Sequence, residues 1–250
     1  IKDVSVLWAL ASLPLRARIA EAHHRAVAKA LAFIRDNGLI EARSGQDGQR
    51  REPVADALIA RYFHRLSRAN DPHLHTHCVL MNLCRRADGS IGTVDTSRIV
   101  AFGSAMTELY RAELASILHR ELGLEVRKEE HGFSLPAIPE AVVTLFSKRR
   151  IAIEEEAEAR GFEPGKDRDA AQRVSNRTRR SKVRGVTADA LRAGWEDEVR
   201  QIGLDPDSFM LPIEAAVFRH TPSPSRPDPL ASPDPDRLIE TAFAREARLS

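Results

Sequence analysis

The chain has 250 residues, 42% of them apolar and 30% charged, and 38 Lys and Arg against 36 Asp and Glu leave a net charge of +2. That apolar content is enough for a folded core and excludes wholesale disorder, while the near-neutral balance gives no global signal for a nucleic-acid partner. No stretch approaches the roughly 18–20 apolar residues of a membrane span, and the opening residues lack the basic flank and cleavage pattern of a signal peptide.

The two cysteines, Cys78 and Cys84, fall on one expected strand. At about 3.3 Å per residue they lie roughly 20 Å apart, beyond disulfide reach, so reduced thiols in a cytosolic protein are expected. The first residue is Ile1 rather than Met, which suggests a piece of a longer protein.

In chain order, DVSVLWAL is an apolar run that periodicity assigns to neither strand nor helix. From Pro14, apolar residues Ile19, Ala22, Ala26, Val27, Ala30, Leu31 and Ile34 recur at helical steps, closed by Asn37-Gly38. Ser44 to Arg50 reads as a polar loop. Ala57 to Leu66 reads as a strand, Ser67 to Pro72 as a turn, and Leu74 to Cys84 as a second strand whose two apolar faces predict cover by helices. Asp88-Gly89 marks a hairpin tip before a return strand at Ile91 to Val94. Met106 to Leu122 is an amphipathic helix containing Tyr110, and a hairpin is expected near His131-Gly132. Pro139 opens a helix running to about Arg160. A basic helical segment at 169–180 and a helix with Leu191, Trp195, Val199 and Ile202 on one face follow. Trp8 and Trp195 both sit in apolar periodic runs, which predicts core positions. Thr221 to Pro235 holds six of the 14 prolines and reads as an extended linker. The fold class expected is α+β, an antiparallel sheet carrying the histidines and flanked by helices. Its domains are a first domain at 1–205, a Pro-rich linker at 206–235, and the start of a further domain at 236–250.

The segment FHRLSRANDPHLHTH, Phe63 to His77, holds four of the nine histidines. Side chains at i and i+2 on a strand share a face, so His75 and His77 point the same way. His64 lies on the adjoining strand, before a turn that folds it back. A His-x-His pair alone is not specific, since solvent-facing histidines on a hairpin are common. A third histidine at turn-closing distance makes a three-nitrogen site with open positions for water or substrate oxygens. His73 reads as a turn residue.

These residues resemble the histidine-triad segment of conjugative relaxases of the TrwC/TraI type, within the HUH endonucleases. The likeness continues in order through KDVSVLWALA, where Asp3 replaces a family serine, AHHRAVAKALAFI, the Asp88-Gly89-Ser90 hairpin, LYRAELA (Leu109 to Ala115), FSKRR (Phe146 to Arg150) and TRRSK (Thr178 to Lys182), covering roughly residues 1–205. The resemblance implies that His64, His75 and His77 hold a divalent ion (Mg, Mn or Zn) that polarises a scissile phosphate of single-stranded DNA at a transfer origin. A tyrosine then attacks to form a phosphotyrosyl link. It further implies contacts with other conjugation proteins, a bacterial cytoplasmic setting, and a helicase-like character for the domain that starts at 236–250.

The family's nucleophilic tyrosine and its supporting acid precede the point matched by Ile1, so the nucleophile is expected upstream and no catalytic residue is assigned within this chain. Tyr110 reads as core, Tyr62 shares a strand face with His64, and Asp3 is not expected to replace the acid. On this reading the 250 residues bind metal and DNA without nicking by themselves, and the loss of leading strands would uncover a sheet edge and apolar surface. Arg68, Lys148, Arg149, Arg179 and Lys182 are the expected DNA contacts. Charge alone favours solvated faces for them, and Arg68 has the alternative of bracing the turn by bonding Asp71. The competing reading is a non-catalytic remnant that binds metal or DNA. An unrelated zinc hydrolase would need a nearby carboxylate base, for which only Asp71 is close.

Overall fold

The protein is seen here as a computed structural model, which describes residues 1–161 and 188–222. The first element, α1 (Lys2–Leu10), settles the ambiguous opening run as a helix. Every residue from Val4 to Leu10 is buried. A helix enclosed on all sides has no polar face, so it shows no helical period in the sequence. Helix α2 (Leu13–Asp36) follows and ends in Asn37 and a left-handed Gly38, the stop that its sequence predicts.

The strands are β1 (Glu41–Ser44), β2 (Arg50–Leu66), β3 (Pro72–Arg86), β4 (Ile91–Gly92) and β5 (Val94–Asp95), in the sheet order β4-β3-β2-β1-β5. β1 pairs antiparallel with β2 and with β5, and β3 pairs antiparallel with β4. β2 starts earlier than its apolar pattern predicts because Ser44 pairs with Arg50, so the expected loop is only a short turn within a strand hairpin.

Helices α3 (Ser97–Ala101) and α4 (Gly103–Arg120) come next, then the hairpin β6 (Arg127–Glu129) and β7 (Gly132–Ser134) near His131-Gly132 as expected. The helix expected from Pro139 to Arg160 is two: α5 (Glu140–Leu145) and α6 (Lys148–Ala159). The break falls where Phe146 becomes fully buried and the Ser147 hydroxyl donates to the Val143 carbonyl at 2.8 Å. The last helices are α7 (Ala188–Gln201) and α8 (Pro206–Arg219). Residues Pro206–Arg219, expected to be linker, are therefore helical, with Met210, Ile213 and Val217 buried along one side. The rest of the expected linker beyond Pro222, the 236–250 segment, and the basic segment at 169–180 lie outside the described residues.

Two compact units emerge. The first comprises Ile1–Ile19, His64–His75 and Leu135–Arg219. In it α1 packs among α5, α7 and α8. Trp8 and Trp195 meet edge-on at 6.4 Å between ring centroids, both in the core as their patterns predict. The second unit comprises Ala20–Phe63, Thr76–Ser134 and His220–Ser250. Its core joins Phe33, Ile34, Leu39, Ile40, Ala42, Cys84, Val94, Phe102, Ala105 and Leu109, with Ala57, Ile59 and Leu80 packed against it.

The predicted cover on both faces of β3 is not found. Val79, Met81 and Leu83 are 47%, 44% and 57% exposed, and Leu58 and Tyr62 on β2 are exposed as well. Among the described residues the helical layer covers one face only, so the alternate set of apolar side chains is left outward. β3 also meets β4 only at Cys84 and Arg85, so its edge from Pro72 to Leu83 has no further strand partner on that side among the described residues.

Candidate metal centre

The hairpin that carries the histidines turns at Ser67 to Asp71. The Ser67 N–H donates to the Asp71 carbonyl at 2.9 Å, its hydroxyl oxygen accepts the N–H groups of Ala69 and Asp71, and Asn70 takes a left-handed φ of 61°. An Asn tolerates that conformation better than most residues. Neighbours then tie the turn down. The indole N–H of Trp195 donates to the Asn70 carbonyl at 3.0 Å, Lys2 Nζ donates to the Pro72 carbonyl at 3.0 Å, and the Leu74 N–H donates to the Ser5 hydroxyl at 3.0 Å.

Above this turn His64, on β2, and His75 and His77, on β3, each offer a ring nitrogen, and the three nitrogens lie within 4.8 Å of one another. The His64 and His75 rings stand edge to face with centroids 5.2 Å apart. The His75 Nδ1 sits 2.9 Å from the His73 carbonyl oxygen. A carbonyl only accepts, so Nδ1 carries the proton and Nε2 keeps the lone pair that a metal needs. His64 and His75 are half-buried and His77 is exposed, which leaves one side of the cluster open. Three neutral nitrogen donors with no carboxylate can hold a divalent ion and leave its full charge available to an anionic ligand.

The surroundings are electropositive. Desolvation of its ring first, then the charges of His75, Lys2 and Arg149, push the His73 imidazole down to about 4. His73 is a residue of β3, its ring tilted by 44° against that of His75 with centroids 4.6 Å apart, rather than a turn residue. Burial lowers Lys2 despite the nearby Asp71 carboxylate, and burial raises Asp71 despite Lys2 and Lys148.

The buried Asp71 pairs with Lys148 at 3.4 Å, not with Arg68, so the bracing alternative for Arg68 is not realised. It is a turn residue, as its place before Pro72 predicts. Lys148 is shared with Glu198 at 2.5 Å. Arg68 and Arg149 are half-buried, and Arg179 and Lys182 lie outside the described residues. Asp3 accepts the Leu135 N–H at 2.8 Å, a structural bond. Cys78 and Cys84 are both free thiols.

On the other face of the same strands lies a group that sequence reading missed. His23, on α2 and 2% exposed, bonds Tyr110 Oη through Nδ1 and Thr76 Oγ1 through Nε2, both at 2.8 Å. The available signal was a histidine inside the Ile19, Ala22, Ala26 stripe of a helix, where a polar ring must find partners.

A model of the TrwC relaxase family matches residues 2–202. The chain belongs to the TrwC relaxase family. Among curated relatives, a multifunctional conjugation protein TraI of Escherichia coli is 29% identical over 246 residues, which cover 91% of this chain and 13% of that protein. The chain therefore spans about an eighth of the relative it matches. Among solved structures, a metal-free conjugative relaxase TrwC in complex with OriT DNA superposes with a TM-score of 0.71 at 32% identity, covering 82% of this chain and 70% of that one. A metal-bound TrwC complex gives the same TM-score at 34% identity with the same coverage. The α+β relaxase fold expected from the sequence is the fold found. No helix among the described residues is long and apolar enough to cross a membrane.

Proposed function

We propose that this chain is the metal-binding, DNA-handling part of a conjugative relaxase that nicks and rejoins single-stranded DNA at a transfer origin. The observation that carries the reading is the convergence of His64, His75 and His77 on one open-sided point within a relaxase fold. These three imidazoles would hold a divalent ion, Mg, Mn or Zn, whose chemistry is to offset charge on a phosphate oxygen. His75 is oriented for this by its Nδ1–H to the His73 carbonyl. The electropositive surroundings of His73, supplied by Lys2 and Arg149, attract the phosphodiester.

Arg68, Arg149, Arg179 and Lys182 are assigned to the DNA backbone. Lys148 is assigned with them from the sequence, although its ammonium is shared between Glu198 and Asp71. The nucleophilic tyrosine is placed outside these 250 residues. Tyr110 is hydrogen-bonded to a buried histidine, and burial raises its hydroxyl to about 12. Tyr62 is 56% exposed and, among the described residues, has no partner that would activate it.

The test has two arms. Calorimetric titration of Zn2+ or Mn2+ should give one site that His64→Ala removes. A labelled single-stranded transfer-origin oligonucleotide should bind with salt-dependent affinity, the log–log slope becoming shallower by about 0.7 in Arg149→Ala, the value for one single-strand phosphate contact. Mass spectrometry after incubation with metal and DNA should show no covalent adduct. An adduct on Tyr62 overturns the placement of the nucleophile, and absence of metal uptake overturns the role of the triad.

A further inference from the structure

A neutral imidazole has one donor and one acceptor nitrogen. In His23 both are used, and by side chains on different elements: Thr76 of β3 and Tyr110 of α4. The same ring lies 5.3 Å from that of Phe63 on β2. These partners have a particular place in the chain. Thr76 is the residue between His75 and His77, and Phe63 is the residue before His64. Because strand side chains alternate, the residues that His23 grips face away from the triad, while their neighbours are its ligands.

We propose that His23 is a positioning residue for the histidine triad, clamping the back of β2 and β3 at the two points from which the ligating side chains leave the front. A turn of β3 about Thr76 would swing His75 and His77 together, and a one-residue slip would send both to the wrong face. Tyr110, kept protonated by its burial, holds the far side of the imidazole and so fixes its tilt. This inference rests on the reading that the triad binds a divalent ion.

The experiment is a Co2+ titration of the whole chain, followed by its visible absorption, which reports coordination geometry, with far-UV circular dichroism as the control for folding. Thr76→Val keeps the shape and strand preference but removes the hydroxyl. It should weaken Co2+ binding by about tenfold or more, the range for groups that orient metal ligands, and alter the absorption band. Thr76→Ser, which restores a hydroxyl, should recover both parent affinity and parent spectrum. Tyr110→Phe should give a smaller loss.

If folded Thr76→Val binds Co2+ as the parent does, the positioning role is overturned while the metal reading stands. If Thr76→Val does not fold, Tyr110→Phe decides: parent-like affinity and spectrum in that variant overturn the role. If the parent itself takes up no ion, the metal reading falls and this inference falls with it.

Discussion

The two faces of the β2–β3 hairpin are built on opposite terms. On the inner face, Ala57, Ile59 and Leu80 pack on the core and Thr76 is bonded to the buried His23. On the outer face, Leu58, Tyr62, Val79, Met81 and Leu83 stand exposed beside the open side of the histidine cluster. One pair of strands thus carries a packed, hydrogen-bonded back and an open front. In the proposed function the site admits an ion and a polymer and so cannot be closed over, and its precision then has to come from the side that is closed.

Breaking the inner side should have the largest effect. Phe102 is fully buried in the core of the second unit, and Phe102→Ala should cost about 3–5 kcal/mol in a urea melt, from lost burial and the cavity left behind.

His75→Ala sharpens the comparison from the front. It should weaken metal binding by more than roughly 100-fold, beyond the usual loss for a merely orienting group, while metal-free stability shifts by under about 0.5 kcal/mol, because its ring is not part of the core. Calorimetry and a melt on the same sample check both halves.

Asp95 tests the electrostatics of the sheet's far end. Its carboxylate is buried, accepts the Ser97 N–H at 2.9 Å and pairs with Arg43 and Arg51 at 3.0 and 2.9 Å. Burial pulls its proton affinity up, but the Ser97 bonds and the two arginines outweigh this and hold it below the ordinary carboxylate value. A depressed group of this kind contributes its stability above the unfolded value of about 3.9 and loses it as pH falls through the lower folded value. Asp95→Asn should cost about 1–2 kcal/mol at pH 7, kept modest by the half-exposed arginines, and should flatten this acid limb of the stability curve. An unchanged limb removes Asp95 as its source.

The smallest effect is expected outside. Met81→Thr should move stability by no more than about 0.5 kcal/mol, since the side chain is 44% exposed, yet should lower self-association in analytical ultracentrifugation if the outer apolar face is sticky.

Much of the local structure was legible because local rules produce it. The Asn37-Gly38 stop of α2, the turn from Ser67 to Pro72 and the hairpin at His131-Gly132 follow from backbone preferences of a few residues. So does the sharing of a face by His75 and His77. The enclosed α1, the division between α5 and α6 at Phe146, and helix α8 in the stretch read as linker were not legible. Each depends on what surrounds the segment, which no period within the segment encodes.

By itself, then, the sequence determined which histidines lie on which strands, how the turn between them closes, and the family to which their spacing points. Only the tertiary structure decided that Val79, Met81 and Leu83 of β3 stand exposed, that Asp71 belongs to Lys148 rather than Arg68, and that His23 stands behind Thr76. The physical reason is range. Alternation and turn chemistry act over a few residues along the chain, whereas burial and hydrogen-bond partnership join positions such as 23, 76 and 110 that meet only when the chain folds.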